Sequence, residues 1–134
     1  MATVSYLKKK LDNIFSQYIR LKEADEYGYV YCCTCKQRFF WKDVDCGHFI
    51  HRSANSTRYD ERNVAPQCRA CNRGGNRNAS YILYLTGKYG NDIIRQLAKL
   101  ECTTKRWSEE ELRDLIKTYT EKVKCLKNEK GITV

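Results

Sequence analysis

The chain has 134 residues, which sets an expectation of one domain, 1–134, built on a single core. It carries 25 lysines and arginines against 16 aspartates and glutamates, a formal net charge of +9 that points to a polyanionic partner. It has no apolar run long enough to cross a bilayer and no apolar stretch of the kind that marks a secretory signal, so a cytoplasmic protein without a membrane partner is expected.

With 42% hydrophobic and 12% aromatic residues the chain can bury a core, which argues against disorder. Leu7, Leu11, Ile14, Tyr18 and Leu21 recur at helical steps, with Phe15 and Ile19 widening the stripe, and predict a helix over 3–27. Thr3 or Ser5 can cap its start, and Gly28 can end it. The stripe either packs on its own chain or forms the seam of a homodimer. Over 29–78 the pattern changes to short β-rich pieces, turns and cysteines. Phe39 to Trp41 and Val44 to Ile50 read as the two strands of a hairpin. The remainder, 79–134, is helical. Tyr81, Leu83 and Leu85 form an ambiguous segment that stops at Gly87, and Asn91 caps a helix running through Leu100. Ser108 and Glu111 form a capping-box pattern ahead of a face of Leu112, Leu115, Ile116, Tyr119, Val123 and Leu126. The expected class is α+β, mainly helical, with a long N-terminal helix and C-terminal helices around a cysteine-rich centre.

Eight cysteines in a chain read as intracellular favour metal binding over disulfides. Cys32-x-x-Cys35 and Cys68-x-x-Cys71 are two knuckles, which together complete a tetrahedral shell for a structural Zn²⁺ with no open position for catalysis. A rival set of Cys32, Cys35, His48 and His51 would leave the second knuckle without a purpose. Cys33 has the wrong spacing for a ligand, and Cys102 and Cys125 read as small buried apolar residues. Cys46 either packs inside the hairpin or substitutes as a ligand. His48 and His51 fall on opposite faces of an extended strand unless the strand ends between them.

Taken in order, Cys32-x-x-Cys35, Cys46-Gly47-His48-Phe49-Ile50, Arg58-Tyr59-Asp60-Glu61-x-Asn63 and Gln67-Cys68-x-x-Cys71-Asn72 resemble the phage NinG (Rap) recombination endonucleases, part of the wider HNH or ββα-metal nucleases. Phe15 to Leu21 is similar to that family as well, and the C-terminal helix only weakly. The resemblance implies a zinc-stabilised treble clef at 29–78 carrying a nuclease centre. In it His48 is the general base, Asn63 fixes the loop, and Asn72 is a ligand of a catalytic divalent metal, Mg²⁺ or Mn²⁺. Many HNH members have an aspartate directly before the base, where this chain has Gly47. The carboxylate ligand is then Asp60 or Asp45, with Asp60 ranked slightly ahead and Glu61 also near. The substrates implied are branched DNA such as Holliday junctions and D-loops in phage recombination, and symmetric cutting implies a homodimer.

The chemistry is coherent in its own terms. A neutral imidazole accepts a proton from the attacking water, worth roughly 10²- to 10⁴-fold. A hard cation on oxygen ligands neutralises charge on the phosphate. Between Lys42 and Lys88 every basic residue is an arginine, namely Arg52, Arg58, Arg62, Arg69, Arg73 and Arg77. Guanidinium forks bind phosphate bidentately, so these six are the candidate DNA-binding residues. The rivals are a non-catalytic zinc module that binds DNA, and a nuclease for ordinary duplex or RNA.

Overall fold

The computed structural model describes residues 3–75 and 78–132. Helix α1, Val4–Glu23, buries Leu7, Leu11, Phe15, Ile19 and Leu21. Its main partner is the last helix of the chain, Glu109–Lys130, which buries Leu112, Tyr119 and Val123. Phe15 lies at the centre of this core, meeting Tyr59 and Tyr119 edge-on at 5.6 and 5.1 Å between ring centroids. The apolar stripe is thus used up within one chain and is not a free dimer seam. Thr3 takes the N-cap position and Ser5 lies inside the helix. The helix also stops at Glu23, short of the expected 27. Asp25 Oδ1 accepts the amides of Tyr27 and Tyr29, both at 2.9 Å, and folds those residues into a turn that Gly28 completes at φ +88°.

Strand β1, Tyr29–Tyr31, pairs antiparallel with β2, Arg38–Phe40. Strand β3, Val44–His48, pairs antiparallel with β4, Val64–Cys68. The expected pairing of β2 with β3 does not occur. A single 3₁₀ turn at Trp41–Asp43, anchored by the buried Trp41 ring, carries the chain from one two-stranded sheet into the other. The β3–β4 connection contains one helical turn, α2, Asn55–Arg58. Helix α3, Arg69–Arg73, follows β4 directly and completes a strand–strand–helix unit.

Helix α4, Asn78–Tyr89, runs straight through Gly87. Tyr81 and Leu85, one turn apart, are buried against Cys33, Ala65, Ile93 and Leu97, and that burial outweighs the cost of about 1 kcal/mol for one helical glycine. Helix α5, Ile93–Glu101, begins after Asp92, one residue past the expected cap. The final helix, α6, opens on the predicted capping box: Ser108 Oγ accepts the Glu111 amide, and Glu111 Oε1 accepts the Ser108 amide, both at 3.1 Å. It ends at Gly131 in the left-handed conformation, φ +67°. Among the described residues no helix is long and apolar enough to cross a membrane.

Candidate active site and metal centre

Cys32 and Cys35 lie in and beside the β1–β2 turn, while Cys68 ends β4 and Cys71 lies in α3. Their four sulfurs are all within 4.8 Å of one another, with Cys35 and Cys68 at 3.9 Å. Zinc–sulfur bonds of about 2.3 Å in a tetrahedron place sulfurs about 3.8 Å apart, so this group could hold a structural zinc. Backbone amides support the sulfurs: those of Cys35 and Cys68 donate to Cys32 Sγ at 3.5 and 3.3 Å, and that of Cys71 donates to Cys68 Sγ at 3.4 Å. Burial opposes ionisation of Cys32, but these amides and the Thr34 hydroxyl outweigh it and lower the thiol to about 6. His48 and His51 stand outside this set. Cys33 is buried against Ala65 and Tyr81, and Cys46 packs beside the α1 core, its thiol pushed up to about 12 by burial. Cys102 and Cys125 are exposed, contrary to the expectation of buried apolar roles.

Beside the cysteine group a cleft of about 640 Å³ is lined by side chains from α1, β3 and α3. His48, Asp45 and Asn72 all border it, as do His51, Arg52, Arg69 and Arg73. His48 ends β3, so the strand stops between the two histidines and both reach the cleft. The His48 Nε2 lies 3.0 Å from the Arg58 carbonyl. A carbonyl only accepts, so Nε2 carries the proton and Nδ1 keeps its lone pair. Burial holds the His48 pKa below that of an ordinary imidazole, which leaves the ring neutral at cellular pH. Arg58 is fixed in turn by Asp12 of α1, which accepts its Nε at 3.1 Å, its Nη2 at 2.5 Å and the Tyr59 hydroxyl at 2.8 Å.

Asp45 accepts from Asn72 Nδ2 at 2.9 Å and from Arg73 Nε and Nη2, both at 3.0 Å. The Asn72 bond uses the amide nitrogen and leaves Oδ1 as the atom able to ligate. A carboxylate and an amide oxygen side by side fit a hard cation that completes its shell with water, as Mg²⁺ and Mn²⁺ do. Asp60, ranked ahead of Asp45 from sequence, does not border this cleft. It caps the 3₁₀ turn Glu61–Asn63 and is held by Arg62, accepting its amide at 2.9 Å, Nε at 3.0 Å and Nη2 at 2.7 Å. Glu61 is likewise engaged elsewhere, by Tyr119 and Lys22.

Position 47 has no room for a carboxylate directly before His48. A Cβ at that position would lie 2.2 Å from Gln67 Oε1 and 2.8 Å from Gln67 Cβ. No side chain fits over that face of β3, and the next residue on the same face is Asp45. The Gly47 carbonyl is pinned by the Tyr81 hydroxyl at 2.6 Å, which ties β3 to α4. Asn63 is fully buried, accepting the Ile50 amide at 2.8 Å and donating to the carbonyls of Ile50 and Thr57 at 3.0 and 3.2 Å.

Of the six candidate arginines, Arg52, Arg69 and Arg73 border the cleft. Arg58 is taken up by Asp12 and Arg62 by Asp60, so neither is a free phosphate ligand. Arg77 lies outside the described residues. The sequence reading missed the contribution of α1, which brings Asp12, Ser16 and Arg20 to the cleft wall, and also Lys42. Arg20 donates Nε to the Ser16 carbonyl and hydroxyl and Nη1 to the Trp41 carbonyl, all at 3.1 Å, and stacks over the Trp41 ring at 5.1 Å. All three acceptors are neutral, and burial lowers its pKa. The resemblance at Phe15 to Leu21 was the available signal.

Residues 1–129 match the family described as Bacteriophage Lambda NinG protein. The chain belongs to the NinG family. It is 27% identical over 129 residues to protein ninG of Escherichia phage 933W and to that of Enterobacteria phage VT2-Sa, covering 95% of this chain and 61% of each relative. Against protein ninG of Escherichia phage lambda the identity is 26%, over 60% of that relative. This NinG-family chain therefore spans about three fifths of the length of the relatives it matches. No solved structure matches it.

Proposed function

We propose that this chain is a metal-dependent DNA endonuclease of the HNH type, with a treble-clef zinc site supporting a ββα-metal centre. The observation that carries the reading is the convergence of three groups on one arginine-lined cleft: a histidine held neutral by burial, a carboxylate, and an asparagine next to a zinc-knuckle cysteine. A DNA-binding zinc module needs arginines but has no use for a base poised in this way.

His48 Nδ1 takes a proton from water, the resulting hydroxide attacks phosphorus in line, and the bond to the 3′ oxygen breaks. The Arg58 carbonyl stabilises the imidazolium through Nε2–H. Asp45 and Asn72 would hold the Mg²⁺ or Mn²⁺, which supplies charge neutralisation at the phosphate. Arg20, Arg52 and Arg69 hold the backbone, so recognition is of phosphate and shape. Branched substrates, a role in phage recombination in the host cytoplasm, and a homodimer are proposed on the family resemblance. The dimer seam lies away from the buried α1 stripe, and light scattering at micromolar protein with and without DNA tests for it.

The deciding experiment is cleavage of an end-labelled four-way junction and its matched linear duplex, with Mg²⁺, with Mn²⁺ and with chelator, for wild type and His48→Ala. Metal-dependent cutting lost in His48→Ala at unchanged zinc content is the expected result. Binding without cutting under every condition would instead establish the non-catalytic DNA-binding module.

A further inference from the structure

We propose that Arg73 is a latch on Asp45, released by a substrate phosphate, so that the catalytic cation and the DNA load together. This rests on the nuclease reading of the cleft. Both oxygens of Asp45 accept from one guanidinium: Nε bonds Oδ2 and Nη2 bonds Oδ1, each at 3.0 Å. Oδ2 also accepts Asn72 Nδ2 at 2.9 Å. Oδ2 thus accepts two bonds and Oδ1 one, so a divalent cation reaches Asp45 only at the remaining lone pair of Oδ1 and against the positive charge of Arg73. Arg73 in this position therefore opposes loading of the cation, and its departure favours it.

The pair is built to open. The Asp45 side chain is only 18% exposed, whereas that of Arg73 is 66% exposed, so the acceptor is fixed and the donor can move without disturbing a packed core. Arg73 is the last residue of α3 and is followed by two glycines. Arg52, Arg69 and Lys42 border the same cleft and draw an anion into it. A phosphate offers the fork an alternative bidentate partner, and each Arg73 that transfers to phosphate frees a carboxylate for the cation. Coupling of this kind is reciprocal: whatever factor the anion adds to cation affinity, the cation adds to anion affinity. A partly exposed ion pair is weak, so the expected factor is roughly two- to fivefold.

The test is calorimetric titration of Mn²⁺ into the zinc-loaded full chain, with sulfate as the phosphate mimic and chloride to match ionic strength. Wild type is compared with Arg73→Gln, Arg69→Gln and Asp45→Asn. Arg69→Gln is the control for general field effects, since it removes a cleft charge bonded to the Lys42 carbonyl and not to Asp45. The expected result is that Arg73→Gln binds Mn²⁺ roughly two- to fivefold more tightly than wild type and clearly more tightly than Arg69→Gln. Sulfate should tighten Mn²⁺ binding in wild type and leave Arg73→Gln unaffected. Equal affinities for the two arginine variants, or no sulfate effect in wild type, overturn the latch while the metal site stands. If Asp45→Asn binds Mn²⁺ as wild type does, the cation is not at Asp45, and the proposed metal site falls together with the latch.

Discussion

Gly47→Ala tests whether the crowding above β3 sets the position of the carboxylate. The added Cβ would lie 2.2, 2.8 and 3.0 Å from Oε1, Cβ and Cδ of Gln67. Oε1 can rotate away, but Gln67 is only 4% exposed and its amide donates to Thr34 Oγ1 at 3.4 Å, so rotation breaks a buried bond. Gln67 Cβ cannot rotate away at all, because the β4 backbone fixes it. The strands must then part where Gly47 faces Ala65. Overpacking of this kind costs about 1–3 kcal/mol, and the displaced amide adds about 1 kcal/mol, so a loss of about 2–4 kcal/mol is expected. In urea with saturating zinc, a slope of about 2 kcal/mol per molar turns that loss into a midpoint lower by about 1–2 M. Adding Gln67→Ala removes the Oε1 and Cδ clashes and leaves the Cβ clash, so the double variant should recover about half the loss and be non-additive. DNA cleavage should fall as well, since Asp45 and His48 flank the distorted position. An unchanged midpoint for Gly47→Ala, or strictly additive effects in the double variant, refutes the reasoning.

As the proposed base His48 would act unprotonated, and burial holds its pKa low, so kcat/KM for cleavage should be flat across neutrality and fall only as pH drops below the ordinary imidazole range. A midpoint above about 6.5 contradicts this. Asp12→Asn removes the charge that fixes Arg58, and through it the carbonyl holding His48; about a tenfold slower cleavage with a shifted acidic limb is expected, and a wild-type rate and pH profile argue against the link. Arg20→Gln should weaken DNA binding and reduce the salt slope by about 1, whereas an unchanged slope places Arg20 off the backbone. Zinc removal by chelator should abolish cleavage while much of the far-ultraviolet helical signal survives, because the α1–α6 core contains none of the four cysteines. Full activity in verified zinc-free protein would show that the cysteine group does not position the site.

Periodicity located α1, α5 and α6, and for α6 even the cap, because those helices bury regular stripes and use local capping chemistry. The strand pairing was not legible. Phe39 to Trp41 and Val44 to Ile50 are adjacent in sequence, but their partners are set by a knuckle on one side and a distant strand on the other. Knuckle spacing revealed the four cysteines because two x-x loops suit one ion. Which of Asp45 and Asp60 borders the cleft could not be read from the chain, since it depends on how β3 lies against α3 and on Arg62 reaching back to Asp60. Asp12 carried no local signal and Arg20 only the resemblance at Phe15 to Leu21, as helical spacing reports which face is buried and not what the other face meets.

Helix α6 contributes no residue to the cleft, yet the cleft depends on it. Lys130 Nζ donates to the carbonyls of Leu21, Lys22 and Ala24 at 2.8, 3.0 and 2.6 Å, clasping the end of α6 to the end of α1. α1 is in effect a beam whose inner side bears Asp12, Ser16 and Arg20, and α6 is the buttress behind it. Substitutions along α6 can therefore silence the site from a distance, by letting one wall lean away while every group on the opposite wall stays in place.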